Sequence, residues 1–219
     1  MSKQFYHSPN DLILESGEIL KKPTIAYNTY GEMNEAKDNV VWIFHALTAA
    51  SNVDDWWNGL VAEGQLFDPK KHFIVCANML GSCYGSTGPN SIDPDTNKPF
   101  YHNFPFITIR DIVNSLIDLR KHLGIEKIKM AVGGSCGGYQ ALEWLLMEPE
   151  TIENYTICVT SPKESAWGVA VHTAHRTAIE LDPSWGEDHE NSGLEGLKGA
   201  RQIGLLFYRN HEIYHHHQK

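Results

Sequence analysis

One serine stands where its hydroxyl could do covalent chemistry. Gly133-Gly134-Ser135-Cys136-Gly137 fits G-x-S-x-G, with Gly133, Ser135 and Gly137 at the defining positions. Chance supplies that pattern in many chains, so its neighbours decide what it means. Residues 127–132 form a short apolar run suited to a buried strand. After the motif, Ala141, Leu142, Leu145 and Leu146 recur at helical spacing. A serine on a sharp strand-to-helix turn lifts its hydroxyl above the sheet. Glycines spare the crowded turn a Cβ, and the helix start offers free N–H groups and a positive dipole end to a developing oxyanion. The competing reading is a glycine-rich turn that only joins strand to helix. The flanking elements favour a nucleophile elbow.

A second pattern, His211-Glu212-Ile213-Tyr214-His215, fits H-E-x-x-H, in which two histidines one turn apart bind zinc and the glutamate is the base. A catalytic zinc takes three protein ligands, and little sequence follows the motif to supply the third. The stretch is expected to be an exposed, histidine-rich helix end with no metal. Asn154-Tyr155-Thr156 fits a glycosylation acceptor but lies in an expected strand.

The elements that must hold the serine follow from the order of apolar runs. Residues 19–30 give two short runs split by Lys21-Lys22-Pro23, expected to pair antiparallel at the start of a sheet. Residues 40–44 and 73–77 are continuous apolar runs, typical of central strands buried on both faces. Residues 78–91 are so rich in turn formers that they predict a long, functional loop. Residues 109–123 carry a helical pattern stopped at Gly124. Residues 155–159 predict a further strand, and residues 166–181 and 194–208 predict helices around a polar segment. Strands alternating with helices argue for a parallel α/β sheet. Such sheets gather their sites at the carboxyl ends of the strands, where the loops after His45, after Ala77 and at Ser135 all fall.

A length of 219 residues fits one substantial core. The formal charge of -9 argues against nucleic acid or an anionic membrane as the main partner, while leaving room for an anionic small molecule at a local basic patch. No apolar stretch reaches the ~18 residues of a membrane span, and the N-terminus carries no signal-peptide pattern. Cys76, Cys83, Cys136 and Cys158 form no C-x-x-C pair, and two of them fall in expected buried strands. Reduced thiols in a cytoplasmic protein are the expectation.

Several stretches together resemble one family. They are His-Ala-Leu-Thr at 45–48, Gly-Ser-Cys-Tyr-Gly-Ser-Thr-Gly-Pro at 81–89, Phe-Pro-Phe-Ile-Thr-Ile-Arg-Asp at 104–111, the Ser135 turn with Gln-Ala-Leu-Glu-Trp at 140–144, and Gly-Ala-Arg at 199–201. The chain resembles homoserine O-acetyltransferase over residues 14–208. The Cys-Tyr-Gly-Ser-Thr-Gly-Pro loop is far more specific than the serine motif. The family usually has methionine where this chain has Cys136 and Tyr139, a departure that bears on the shape of the acyl pocket.

The resemblance implies an α/β-hydrolase-like fold: a mostly parallel sheet with helices on both faces over residues 1–160, then a helical lid region over 161–219, with the last strands missing. It implies acetyl transfer from acetyl-CoA, a co-substrate rather than a bound cofactor, to the hydroxyl of L-homoserine in methionine biosynthesis. Ser135 would be the nucleophile, and the N–H groups of Leu47 and Cys136 the oxyanion donors. Arg201 would bind the acceptor carboxylate and Tyr208, on the same helix face, would line the substrate site. A homodimer through the lid helices is also implied. The triad of this fold runs serine, acid, histidine along the chain. His45 precedes Ser135, so it reads as a structural, hydrogen-bonded residue. The family places its acid and histidine beyond Lys219, so none is assigned here. Still open are a succinyl donor, a serine acceptor, a serine hydrolase, and a catalytically incomplete fragment that serves only binding or assembly.

Overall fold

The structure, a computed structural model, describes residues 2–208 and 210–217, with every side chain except those of Tyr214 and His217. By its internal contacts the chain divides into two compact units, Met1–Pro162 and Lys163–Lys219.

In the first unit the strands are β1 (Gln4–His7), β2 (Leu12–Ile13), β3 (Ile19–Leu20), β4 (Thr24–Tyr30), β5 (Val40–Phe44), β6 (Phe73–Ala77), β7 (Ile92–Asp93), β8 (Lys98–Pro99), β9 (Met130–Gly134) and β10 (Tyr155–Cys158). Its helices are α1 (Val53–Trp56), α2 (Ile109–His122) and α3 (Cys136–Met147). Six strands form one sheet in the order β1-β4-β6-β5-β9-β10. The β1–β4 and β4–β6 pairs are antiparallel, and β6, β5, β9 and β10 run parallel.

All five residues of β5 are buried because successive side chains serve opposite faces. Val40, Trp42 and Phe44 join one apolar cluster with Leu116, Leu119 and Trp144. Val41 and Ile43 join the other with Val53, Phe67 and Cys76. The first face is covered by α2 and α3. The second is covered by the four-residue α1 and the irregular segment running to Phe67. Trp144 fastens α3 to the sheet: its ring meets those of Trp42 and Phe44 edge-on, with centroids 5.0 and 5.8 Å apart. A capping box between Thr108 and Asp111 starts α2, and the buried Asp111 carboxylate also accepts the Glu15 N–H at 2.9 Å.

Two expectations need correction. The runs within residues 19–30 do not pair with each other. β3 pairs with β2 in a small separate sheet, and β4 takes β1 and β6 as neighbours. Lys22 adopts φ 39° and Pro23 has no N–H to donate, so the chain is turned out of a hairpin path between them. β1 itself went unforeseen because only Tyr6 of its four residues is buried. Of the two cysteines expected in buried strands, Cys76 is enclosed but Cys158 is exposed. The cause is position: among the described residues β10 is an edge strand with β9 as its one neighbour, and none of its own residues is fully buried. Beyond the loop expected over residues 78–91 the chain adds a short hairpin, β7–β8, that went unforeseen.

The second unit holds α4 (Ala166–Glu180), α5 (Leu194–Tyr208) and α6 (His211–His217). α4 and α5 approach closely at Gly196, where a Cβ would lie 2.6 Å from the Ala178 carbonyl oxygen. The polar stretch between them is organised by Asp182, whose carboxylate accepts N–H bonds from Gly196 at 2.7 Å and Ser184 at 2.8 Å. Those N–H groups hold its pKa down to about 2. Among the described residues no helix is long and apolar enough to cross a membrane.

Candidate active site

Ser135 joins β9 to α3 at φ 53° and ψ -121°, a backbone conformation that L-residues rarely adopt. A serine at a helix start ordinarily turns its hydroxyl onto the N–H groups of the first turn. Here it makes no such cap. The Ser135 carbonyl takes the Gly138 N–H at 2.9 Å, and the Ser135 N–H donates to the Cys158 carbonyl at 3.1 Å. The turn is therefore held by backbone bonds on both sides, and the exposed hydroxyl makes no hydrogen bond among the described residues.

The glycines allow the turn to be this tight. A Cβ on Gly137 would stand 2.2 Å from the Phe44 carbonyl oxygen, and one on Gly133 would stand 2.4 Å from that of Gly137. The start of α3 thus abuts the carboxyl end of β5 with no side chain between them. That contact brings the first N–H of α3, on Cys136, to the same end of the sheet as the loop leaving β5.

Cys136 and Leu47 line one cavity of about 720 Å³, together with Met79, Phe104, Phe106 and Ile107. As the first residue of α3, Cys136 has no acceptor for its N–H within the helix. Its thiol lies against Met79, Sγ to Sδ 3.7 Å, and burial pushes its pKa up. A thiol kept protonated is a poor nucleophile, so of the two adjacent residues with nucleophilic atoms Ser135 is the better placed for covalent chemistry.

His45, the last residue before the loop carrying Leu47, is fully buried. Its Nδ1 donates to the Ala46 carbonyl at 2.8 Å, and its Nε2 accepts the Met79 N–H at 3.3 Å. A carbonyl only accepts and an N–H only donates, so the ring is neutral with its proton on Nδ1. Burial also pushes its pKa down. With both nitrogens committed to backbone, His45 is structural, in line with its place ahead of Ser135 in the chain.

Sequence reasoning missed Asn78. Its side chain accepts the Ser51 N–H at 2.8 Å and donates to Ser51 Oγ and to the Tyr84 carbonyl, each at 3.0 Å. Ser51 Oγ in turn donates to Asn28 Oδ1 at 2.7 Å. This buried network ties the loop after β5 to the loop after β6, and both line the cavity. The available signal was a side-chain amide placed directly after a fully apolar strand, where burial demands partners.

Arg201 and Tyr208 are exposed residues of α5 seven positions apart, and so on one face of that helix. His211 and His215 stack on α6 with ring centroids 6.2 Å apart. Among the described residues no three histidine, cysteine or carboxylate side chains gather as a metal site.

Residues 39–189 match the family model described as alpha/beta hydrolase fold. Homoserine O-acetyltransferase of Cyclobacterium marinum is 46% identical over 210 residues, covering 96% of this chain and 60% of that protein. The crystal structure of homoserine O-acetyltransferase from Bacillus anthracis superposes with a TM-score of 0.85 at 28% identity, over 94% of this chain and 60% of that one. That of an esterase gives 0.84, also at 28%, over 92% and 60%. The chain thus spans about 60% of the length of these relatives. The strand–serine–helix turn, the mostly parallel sheet and the family match agree, and the chain belongs to the α/β-hydrolase fold family.

Proposed function

We propose that the full-length protein is a homoserine O-acetyltransferase working through an acetyl ester on Ser135. The observation that carries the reading is the strained, uncommitted Ser135 beside Cys136, whose N–H opens α3, with Cys136 and Leu47 sharing one apolar cavity. The names of the 41–46% identical relatives supply the homoserine acceptor and the acetyl group, and the acyl-CoA donor is part of the proposal.

Ser135 Oγ attacks the thioester carbonyl of acetyl-CoA and its proton goes to a general base. The oxyanion is met by the N–H groups of Leu47 and Cys136. Collapse expels the CoA thiol, which takes up that proton. The homoserine hydroxyl then attacks the ester, its proton passes by way of the base to Ser135 Oγ as the Oγ–acetyl bond breaks, and O-acetylhomoserine leaves. The base and its orienting acid are assigned to the part of the family's length that this chain does not span. Arg201 presents a planar fork suited to the acceptor carboxylate, and Tyr208 lies on the same helix face. The exposed Trp167, Leu206 and Phe207 support the lid helices as a dimer face. A second reading is favoured by the solved esterase: the same serine ester would then be cleared by water.

The test is mass spectrometry of the full-length protein with acetyl-CoA alone. One acetyl group should appear on the peptide carrying Ser135 and should clear rapidly on addition of homoserine. Clearance at the same rate in buffer favours the hydrolase. No adduct at all sinks both readings.

Arg201→Ala separates the two halves of the reaction. It is expected to lower turnover at limiting homoserine roughly 10²-fold through loss of a charge-assisted pair of bonds. Acetyl-adduct formation should keep its rate. Equal loss in both half-reactions would contradict the acceptor role.

A further inference from the structure

We propose that His45 is a positioning residue for the oxyanion hole, fixing the peptide unit that carries the Leu47 N–H. The proposal rests on the reading of Ser135 as acylated nucleophile with Leu47 and Cys136 as donors.

Ala46 C=O and Leu47 N–H belong to one peptide unit, which is trans like every other described here. In a trans peptide the two groups point in opposite directions. The Ala46 carbonyl is held on the Nδ1–H of a ring that is itself fully buried, so it points inward. The Leu47 N–H on its far side is thereby turned outward, at a residue that is 69% exposed and lines the cavity. No hydrogen bond of the Leu47 N–H is made among the described residues.

The ring is anchored from the other end. Nε2 takes the N–H of Met79, which also lines the cavity and touches the Cys136 thiol. One rigid side chain therefore spans from the residue packed against the first donor, Cys136, to the peptide of the second, Leu47. Two preorganised donors act on a transition state only if their spacing is fixed before charge develops. The Ala46 carbonyl also accepts the Ala49 N–H at 3.0 Å, which closes the local turn but does not tie it to Met79. His45 supplies the bond from the buried interior, and losing it leaves that carbonyl on the local turn alone.

Two variants divide the two bonds. In His45→Asn an amide N–H can reach the place of Nδ1 and keep the Ala46 carbonyl, while the Met79 contact is lost. In His45→Gln an amide oxygen can reach the place of Nε2 and keep the Met79 N–H, while the Ala46 carbonyl is released. Neither can act as a base. The readout is the burst rate of acylation of the full-length protein by p-nitrophenyl acetate, with KM and thermal midpoint measured alongside.

The expected result is an acylation rate about 10²-fold lower in His45→Gln at nearly unchanged KM, the scale of losing one oxyanion donor. His45→Asn should keep the greater part of the rate despite a comparable fall in midpoint. Equal falls in both variants, in step with their midpoints, would make His45 merely structural and overturn the proposal. Abolition in both would make it the base and overturn it equally. A burst that survives Ser135→Ala would overturn the reading of Ser135, and this proposal with it.

Should either variant fail to fold, the wild-type ring decides. Its ¹⁵N shifts should report a neutral ring with the proton on Nδ1. A proton on Nε2 would remove the ring's hold on the Ala46 carbonyl and would overturn the proposal.

Discussion

Ser135→Ala should reduce acetyl transfer by the full-length protein by about 10⁴-fold or more, a barrier increase of about 5 kcal/mol or more. The change removes one oxygen from an exposed side chain that makes no hydrogen bond among the described residues, so folding has little to lose. The unfolding midpoint should stay close to that of the wild type. Some strain at φ 53° remains with alanine, since that strain belongs to any residue with a Cβ. The pairing of a near-total loss of rate with little loss of stability marks a chemical role. Near-normal turnover, or a loss of rate explained by unfolding, would remove Ser135 from the mechanism. The measurement is steady-state transfer from acetyl-CoA to homoserine beside a urea melt.

Gly137→Ala is expected to damage both fold and rate. Its Cβ would meet three backbone atoms at once: the Phe44 oxygen at 2.2 Å, the Phe44 carbonyl carbon at 2.7 Å and the His45 oxygen at 3.0 Å. Backbone of a central strand cannot swing aside as a side chain can, so the start of α3 must lift from β5 by about 1 Å. Overpacking of this kind costs about 1–3 kcal/mol, enough to lower the urea midpoint clearly. The same lift moves the Cys136 N–H away from Leu47, and a 1 Å misplacement costs about 10²-fold in rate. Gly134→Ala is the control. Its Cβ would come close to the Cys158 Sγ, at 3.3 Å, a side-chain atom on an edge strand that can yield, and would keep an ordinary 3.8 Å from the Cys158 carbonyl oxygen. If Gly137→Ala matches Gly134→Ala in stability and rate, the close approach of α3 to β5 does not matter to the site.

The parts of this fold legible in the sequence are those where one residue type has one physical use. Val40 to Phe44 could only be a strand buried on both faces, and the elbow was marked by glycines at the two positions where a Cβ collides with backbone. α5 was bounded correctly at Leu194–Tyr208 by its own periodicity. What stayed hidden depends on partners distant in sequence. β1 has a single buried residue and exists because β4 offers an edge; β3 found Leu12–Ile13 rather than its own neighbour across Pro23. Cys158 was read as buried because apolar composition does not reveal how many neighbours a strand has. The Asn78–Ser51 network was invisible for the same reason, since short polar side chains look alike whether they face water or each other.

The register of β5 bears on when the serine turn can form. Val41 faces Ile74 on one side and Met130 on the other. Joining β5 to β6 closes a short loop, whereas joining it to β9 closes one nearly three times as long, at an added entropic cost of about 1 kcal/mol. Local pairings pay that cost first and reward it soonest. A refolding chain is therefore expected to pair β5 with β6 before β9 docks, an order that hydrogen-exchange labelling during refolding would check. Ser135 has no strand to strain against until then, so its unusual backbone is among the last things the first unit acquires and among the first it gives up when β9 loosens.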